Sequence, residues 1–124
     1  MGGEVPAEPI IFIKPNTSVI GPDDLIQWPR ASERIDHEAE LAVVISKICK
    51  EVPRAKAKDV IFGYTVANDV PTIIEFVTSV MTLLPGDVIL TGTPSGIGPM
   101  VAGGDVVITI EGLGSLRNKV SARG

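Results

Sequence analysis

Apolar residues along the chain fall into short runs separated by glycine and proline, and the spacing within the runs changes character only once. Ile10 to Lys14 is a compact β-prone run ended by Pro15 and Asn16. Asp36 to Ile45 predicts a longer strand that leads into a basic loop around Lys47 and Lys50. Val88 to Thr91 and Val106 to Ile110 predict two more strands, reached through the similar turns Pro85-Gly86-Asp87 and Gly103-Gly104-Asp105. Gly-Asp ahead of a β-branched run is common turn chemistry, so the echo does not require an internal repeat. From Pro71 onward the spacing turns helical, with Ile73, Phe76, Val77, Val80, Met81 and Leu84 on one stripe. Pro71 suits the first turn of that helix and Pro85-Gly86 ends it. Lys56 to Phe62 predicts a second, shorter helix. Several short strands with two helices laid against them make an α+β, mainly β, domain.

At 124 residues the chain has room for one domain, and 44% hydrophobic residues provide a core while arguing against disorder. The longest unbroken apolar run, Leu41 to Ile45, falls far short of the roughly 20 residues that cross a bilayer, so a membrane span is not expected. A net charge of -4 without a basic cluster makes nucleic acid a poor partner. One cysteine cannot form an internal disulfide, and Met1-Gly2-Gly3-Glu4 lacks the pattern of a signal peptide, so a reducing, cytoplasmic setting is expected.

The most informative stretch is Asp36-His37-Glu38-Ala39-Glu40-Leu41. On a strand Glu38 and Glu40 share one face, about 7 Å apart, at the rim of a surface that turns apolar with Ala42 and Val44. Like charges held near a core repel unless a proton or cation sits between them, and oxygen ligands suit Mg²⁺, Mn²⁺ or Ca²⁺ rather than zinc. Taken alone, an E-x-E pair is a weak motif, and the solvated end of an exposed strand accounts for it more simply. His37, the chain's one histidine, points to the opposite face by alternation, which suits a structural role better than that of a general base. Asp69, after Gly63 to Asn68, is either a third carboxylate for an ion or the cap of the helix that follows. The glycine-rich turn Thr91-Gly92-Thr93-Pro94-Ser95-Gly96 matches neither a P-loop nor a dinucleotide fingerprint. Its N–H groups and hydroxyls can hold a carboxylate, or the turn is simply rigid. Cys49 reads as a loop cysteine rather than a nucleophile.

Five stretches, in order, carry a family resemblance: Glu8 to Pro15, Asp36 to Leu41, Gly63 to Asp69, Leu84 to Asp87, and Thr91 to Gly96. Together they resemble the catalytic domain of the fumarylacetoacetate hydrolase family, which includes acylpyruvate hydrolases and hydroxyhepta-dienedioate isomerases. The resemblance implies a mixed β-sandwich roll that forms a homodimer. It also implies Mg²⁺ or Mn²⁺ on Glu38, Glu40 and Asp69, and a substrate carboxylate at Gly92 and Thr93. The implied substrates are 2-oxo or 2,4-dioxo acids of aromatic-compound breakdown, hydrolysed or isomerised through a metal-stabilised enolate. An oxaloacetate-type decarboxylase on the same scaffold and a catalytically incomplete metal-binding domain are the alternatives.

The chain departs from the family pattern at two places. The family's upstream lid, with an Asn-Tyr and a His-x-x-Glu that supplies the base, has no match before Met1-Gly2-Gly3, so no catalytic base is assigned. Several dozen residues that the family carries after Ala67-Asn68-Asp69, a substrate-side lysine among them, are also unmatched. The expectation is one domain over residues 1–124 with an interruption at or next to Val70-Pro71.

Overall fold

The computed structural model describes residues 13–69, 82 and 84–123. Among them are strands β1 (Leu25–Ile26), β2 (Asp36–His37), β3 (Ala39–Ile45), β4 (Ile61–Asn68), β5 (Val88–Leu90), β6 (Gly98–Pro99), β7 (Asp105–Ile110) and β8 (Gly114–Val120). Two 3-10 helices, Asn16–Ser18 and Arg54–Val60, complete the described elements. The strands form a β4-β3-β5 sheet, a β1-β8-β7 sheet and the small pair β2-β6. Only β1 and β8 run parallel, so the architecture is the mixed, mainly β, α+β fold that the sequence predicts.

β3 is the central strand because its sequence can be buried on both sides of the ladder. Val43, Val44 and Ile45 favour the pleated surface, and Glu40, Ala42 and Ile45 are buried. It pairs antiparallel with β4 from Ala39↔Asn68 to Ile45↔Ile61, with a bulge at Val44/Ile45, and with β5 from Ala42↔Leu90 to Val44↔Val88. β4 packs against β7 and β8, and β3 against β7, so the two three-stranded sheets meet. Beside them Ile26, Ile35, Met100 and Val120 form a buried cluster, with Trp28 and Val106 packed on it. Backbone bonds tie this cluster across the chain: Ser121 donates to the Ile26 carbonyl at 2.9 Å, and Met100 to that of Ile35 at 2.8 Å.

Several sequence expectations change. The strand expected over Asp36 to Ile45 is two strands broken at Glu38, because Asp36 and His37 pair with Pro99 and Gly98 while Ala39 onward pairs with β4. The helix expected over Lys56 to Phe62 is the 3-10 helix Arg54–Val60. Ile61 and Phe62 belong instead to β4, where Ile61 pairs with Ile45. Ile13 and Lys14 lie outside any strand. The similar turns before Val88 and Val106 do share their chemistry: Asp87 N–H donates to the Leu84 carbonyl at 3.1 Å, and Gly104 N–H to that of Val101 at 2.9 Å. The helix expected from Pro71 and the join at Val70-Pro71 fall outside the described residues, as do Ile10 to Phe12. Among the described residues no helix is long and apolar enough to cross a membrane.

Ala42 is fully buried between Thr65 and Leu90. Ala42→Leu should therefore overpack the strand that carries Glu40 and cost about 1–3 kcal/mol, read as a lower urea midpoint at unchanged m-value.

Candidate metal centre

The β3-β4 ladder brings Glu38 and Asp69 together from 31 positions apart in sequence. Asp69 N–H donates to the Glu38 carbonyl at 2.9 Å, and Glu38 N–H donates to Asn68 Oδ1 at 3.0 Å, so both backbone polar groups of Glu38 are tied to the end of β4. On the other side of β3, the Thr91 N–H and hydroxyl both donate to the Leu41 carbonyl, at 3.1 and 3.0 Å. This clamp lays the following turn across Glu40. Gly92 N–H reaches Glu40 Oε2 at 2.8 Å, and the Thr93 hydroxyl reaches Glu40 Oε1 at 2.8 Å with Glu38 Oε2 at 3.4 Å. Gly92 adopts φ 92°, a conformation that L side chains rarely take, which is why glycine stands at the residue that aims its N–H at the carboxylate.

One carboxylate oxygen from each of Glu38, Glu40 and Asp69 lies within 4.8 Å of one from the other two. Glu40 is 3% exposed and Asp69 4%, so solvent does little to screen them. The Lys14 ammonium meets Asp69 Oδ1 at 2.8 Å, leaving the group two negative charges in excess when all three are ionised. Asp69 Oδ2 is buried and has no hydrogen-bond partner among the described residues. Burial pushes the Glu38 carboxyl above its ordinary range, and the charges of Asp69 and Glu40 push the same way. The Thr93 hydroxyl and the Lys14 ammonium oppose the shift.

These features fit a hard divalent cation. The donors are all oxygen, their excess charge matches a doubly charged ion, and the buried Asp69 Oδ2 is an acceptor awaiting a positive partner. Mg²⁺ or Mn²⁺ suits such a set, Ca²⁺ being the larger alternative.

All five residues singled out from the sequence, Glu38, Glu40, Asp69, Gly92 and Thr93, meet at this place. The solvated strand end, the simpler account of the E-x-E pair, does not hold, because Glu40 is buried. His37 is on β2 with its ring against Gly98, where a Cβ would lie 3.2 Å from Nε2, and it lines a separate surface cavity with Met100, Asp105 and Val106. Cys49 is a free, half-buried thiol. The sequence reading gives Lys14 no role. Its signal was a charged residue placed directly after four apolar ones, Ile10 to Ile13, where a strand would have continued.

The chain belongs to the fumarylacetoacetate hydrolase family: residues 2–72 and 69–121 match the family described as fumarylacetoacetate (FAA) hydrolase C-terminal. Protein Rv2993c of Mycobacterium tuberculosis is 36% identical over 187 residues, covering 100% of this chain and 71% of its own length. That alignment exceeds the 124 residues of the chain by about 63 positions, and the two family matches meet at residues 69–72. The mitochondrial oxaloacetate tautomerase FAHD1 of Arabidopsis thaliana is 29% identical, with 99% of this chain and 85% of that protein covered. Among solved structures, 5-carboxymethyl-2-hydroxymuconate delta-isomerase from Mycobacterium smegmatis superposes with TM-score 0.86 at 37% identity, covering 100% of this chain and 73% of that one. Maleylpyruvate hydrolase from Sphingobium sp. SYK-6, in complex with manganese (II) ion and pyruvate, superposes with TM-score 0.73 at 27% identity, covering 84% and 61%.

Lys14→Met removes the one positive side chain seen on Asp69 and should destabilise the metal-free protein by about 1–3 kcal/mol. Millimolar Mg²⁺ or Mn²⁺ should restore part of the loss, measured by thermal unfolding with and without chelator. The Glu38 shift sets a pH dependence. A carboxyl whose value is raised in the folded state binds its proton more tightly there than in the unfolded chain. Its contribution to the metal-free fold therefore grows as pH falls through the raised value and is complete below the ordinary glutamate range. The same titration should weaken metal binding as pH falls. Unfolding temperatures of wild type and Glu38→Gln in chelator should accordingly differ in slope over that interval, and added metal should oppose that difference, because wild type then gains stability from the ion as pH rises while the variant has lost a ligand.

Proposed function

We propose that the chain is a Mg²⁺- or Mn²⁺-dependent enzyme of 2-oxo and 2,4-dioxo acids, a hydrolase or isomerase of the kind used in aromatic-compound breakdown, working as a homodimer. Glu38, Glu40 and Asp69 would hold the ion. The observation that carries this reading is the buried three-carboxylate group with its excess charge and its unpaired Asp69 oxygen. The isomerase and hydrolase names of the structural neighbours, one of them holding manganese and pyruvate, support it. When bound, such an ion supplies Lewis acidity to the 2-oxo oxygen of a chelating oxo acid, which favours the enolate. The protein's own share is to bind and orient. Glu40 and Asp69 are buried, and Lys14 offsets the charge of Asp69.

A second reading, keto–enol tautomerisation of an oxaloacetate-like dicarboxylate, is favoured by the oxaloacetate tautomerase relative that aligns with 99% of this chain. It needs only a proton to move, whereas hydrolysis also needs an activated water.

Loss of enol absorbance of oxaloacetate, and cleavage of acylpyruvates, should be followed with Mg²⁺ or Mn²⁺ and in chelator. Metal-dependent turnover is expected, and Glu40→Gln should reduce it by more than about 100-fold, since even residues that only support a ligand cost 10–100-fold. Metal binding without any turnover would establish the catalytically incomplete domain instead. Absence of metal binding would overturn the reading.

A further inference from the structure

The Gly92-Thr93 turn, expected from the family resemblance to meet a substrate carboxylate, also bonds a carboxylate of the protein itself. A threonine hydroxyl has one proton to donate, and here it points to Glu40 Oε1 at 2.8 Å. Glu38 Oε2, at 3.4 Å, is the more distant acceptor. Gly92 N–H occupies the other oxygen of the same carboxylate at 2.8 Å. Both oxygens of Glu40 thus carry one short bond from a single turn, which fixes the rotation of the carboxylate plane as well as its position. The turn in turn is anchored to β3 by the two Thr91 bonds to the Leu41 carbonyl, one residue along from Glu40. Withdrawing either donor would leave a group that is 3% exposed short of a partner.

Resting on the metal-centre reading, we propose that Thr93 is a positioning residue for the ion: its hydroxyl, together with Gly92 N–H, sets the orientation of Glu40 and thereby the affinity for metal. Thr93 then acts before any substrate arrives.

The test uses Mn²⁺ alone, with no oxo acid present, followed by the electron paramagnetic resonance signal of the free ion. Wild type should bind. Thr93→Val, which keeps the shape and removes the hydroxyl, should weaken Mn²⁺ binding about 10–100-fold. Thr93→Ser, which restores the hydroxyl, should return affinity to within about threefold of wild type. Thr93→Ala makes the same comparison should valine not fold in the turn, and unfolding in chelator verifies that each variant is folded at the titration temperature. Wild-type Mn²⁺ affinity in the valine or alanine variant would overturn the inference while leaving the metal centre standing. Failure of wild type itself to bind Mn²⁺ would overturn the metal centre and this inference with it.

Discussion

Glu40 is a carboxylate almost completely removed from solvent, and the rest of the site follows from what that demands. An ionised group in such a place must be hydrogen-bonded and charge-compensated or it will take up a proton. Two donors from the turn after β5 meet its oxygens, Glu38 and Asp69 crowd the same space, and Lys14 compensates one of the three charges. Burial and the neighbouring charge of Asp69 raise the proton affinity of Glu38. Glu40 has both oxygens bonded by the turn.

Register carries this arrangement. β3 sits between β4 and β5, so one strand receives Asp69 from one neighbour and the Gly92-Thr93 turn from the other. A slip of one residue in either ladder would turn Glu40 to the opposite face. The buried Ala42 and the paired ends of β3 and β4 resist such a slip. Glu38 stands where the chain passes from the β2-β6 pair into the larger sheet, and the break frees its carboxylate from strict alternation while its backbone stays bonded to β4.

The carboxylates and the turn were legible in the sequence because their chemistry is local: two glutamates one residue apart, and glycines around hydroxyls directly after a strand. The decision between an exposed strand end and a buried site was not local. It depended on the turn after β5 reaching Glu40, a contact between residues 52 positions apart. Lys14 was missed for the same reason, since its partner Asp69 is remote in sequence. β8 escaped notice because one of its inward positions is Asn118, whose amide is satisfied by the Gly21 and Asp24 carbonyls, so a polar residue interrupts the alternation at a buried site. β4 was obscured at its start, where Ile61 and Phe62 continue the apolar content of the preceding 3-10 helix and only pairing with β3 decides their conformation.

Relatives that share this fold carry the names isomerase, hydrolase and tautomerase, and the geometry accounts for that spread. Moving a proton next to a 2-oxo group, cleaving a carbon–carbon bond beside it and interconverting keto and enol forms all pass through negative charge on the same oxygen. What separates the reactions is the treatment of the remaining carbons: which proton is returned, to which atom, and whether water is admitted. A single set of residues on β3, β4 and the turn after β5 can therefore serve several activities, and specificity has to be built from segments around it. The alignment to the Mycobacterium tuberculosis relative is about 63 positions longer than this chain, and the two family matches overlap at residues 69–72, a stretch that begins with Asp69. Under the proposed function the three carboxylates would serve the step that these reactions share, and a difference in reaction would arise from the segments that surround them.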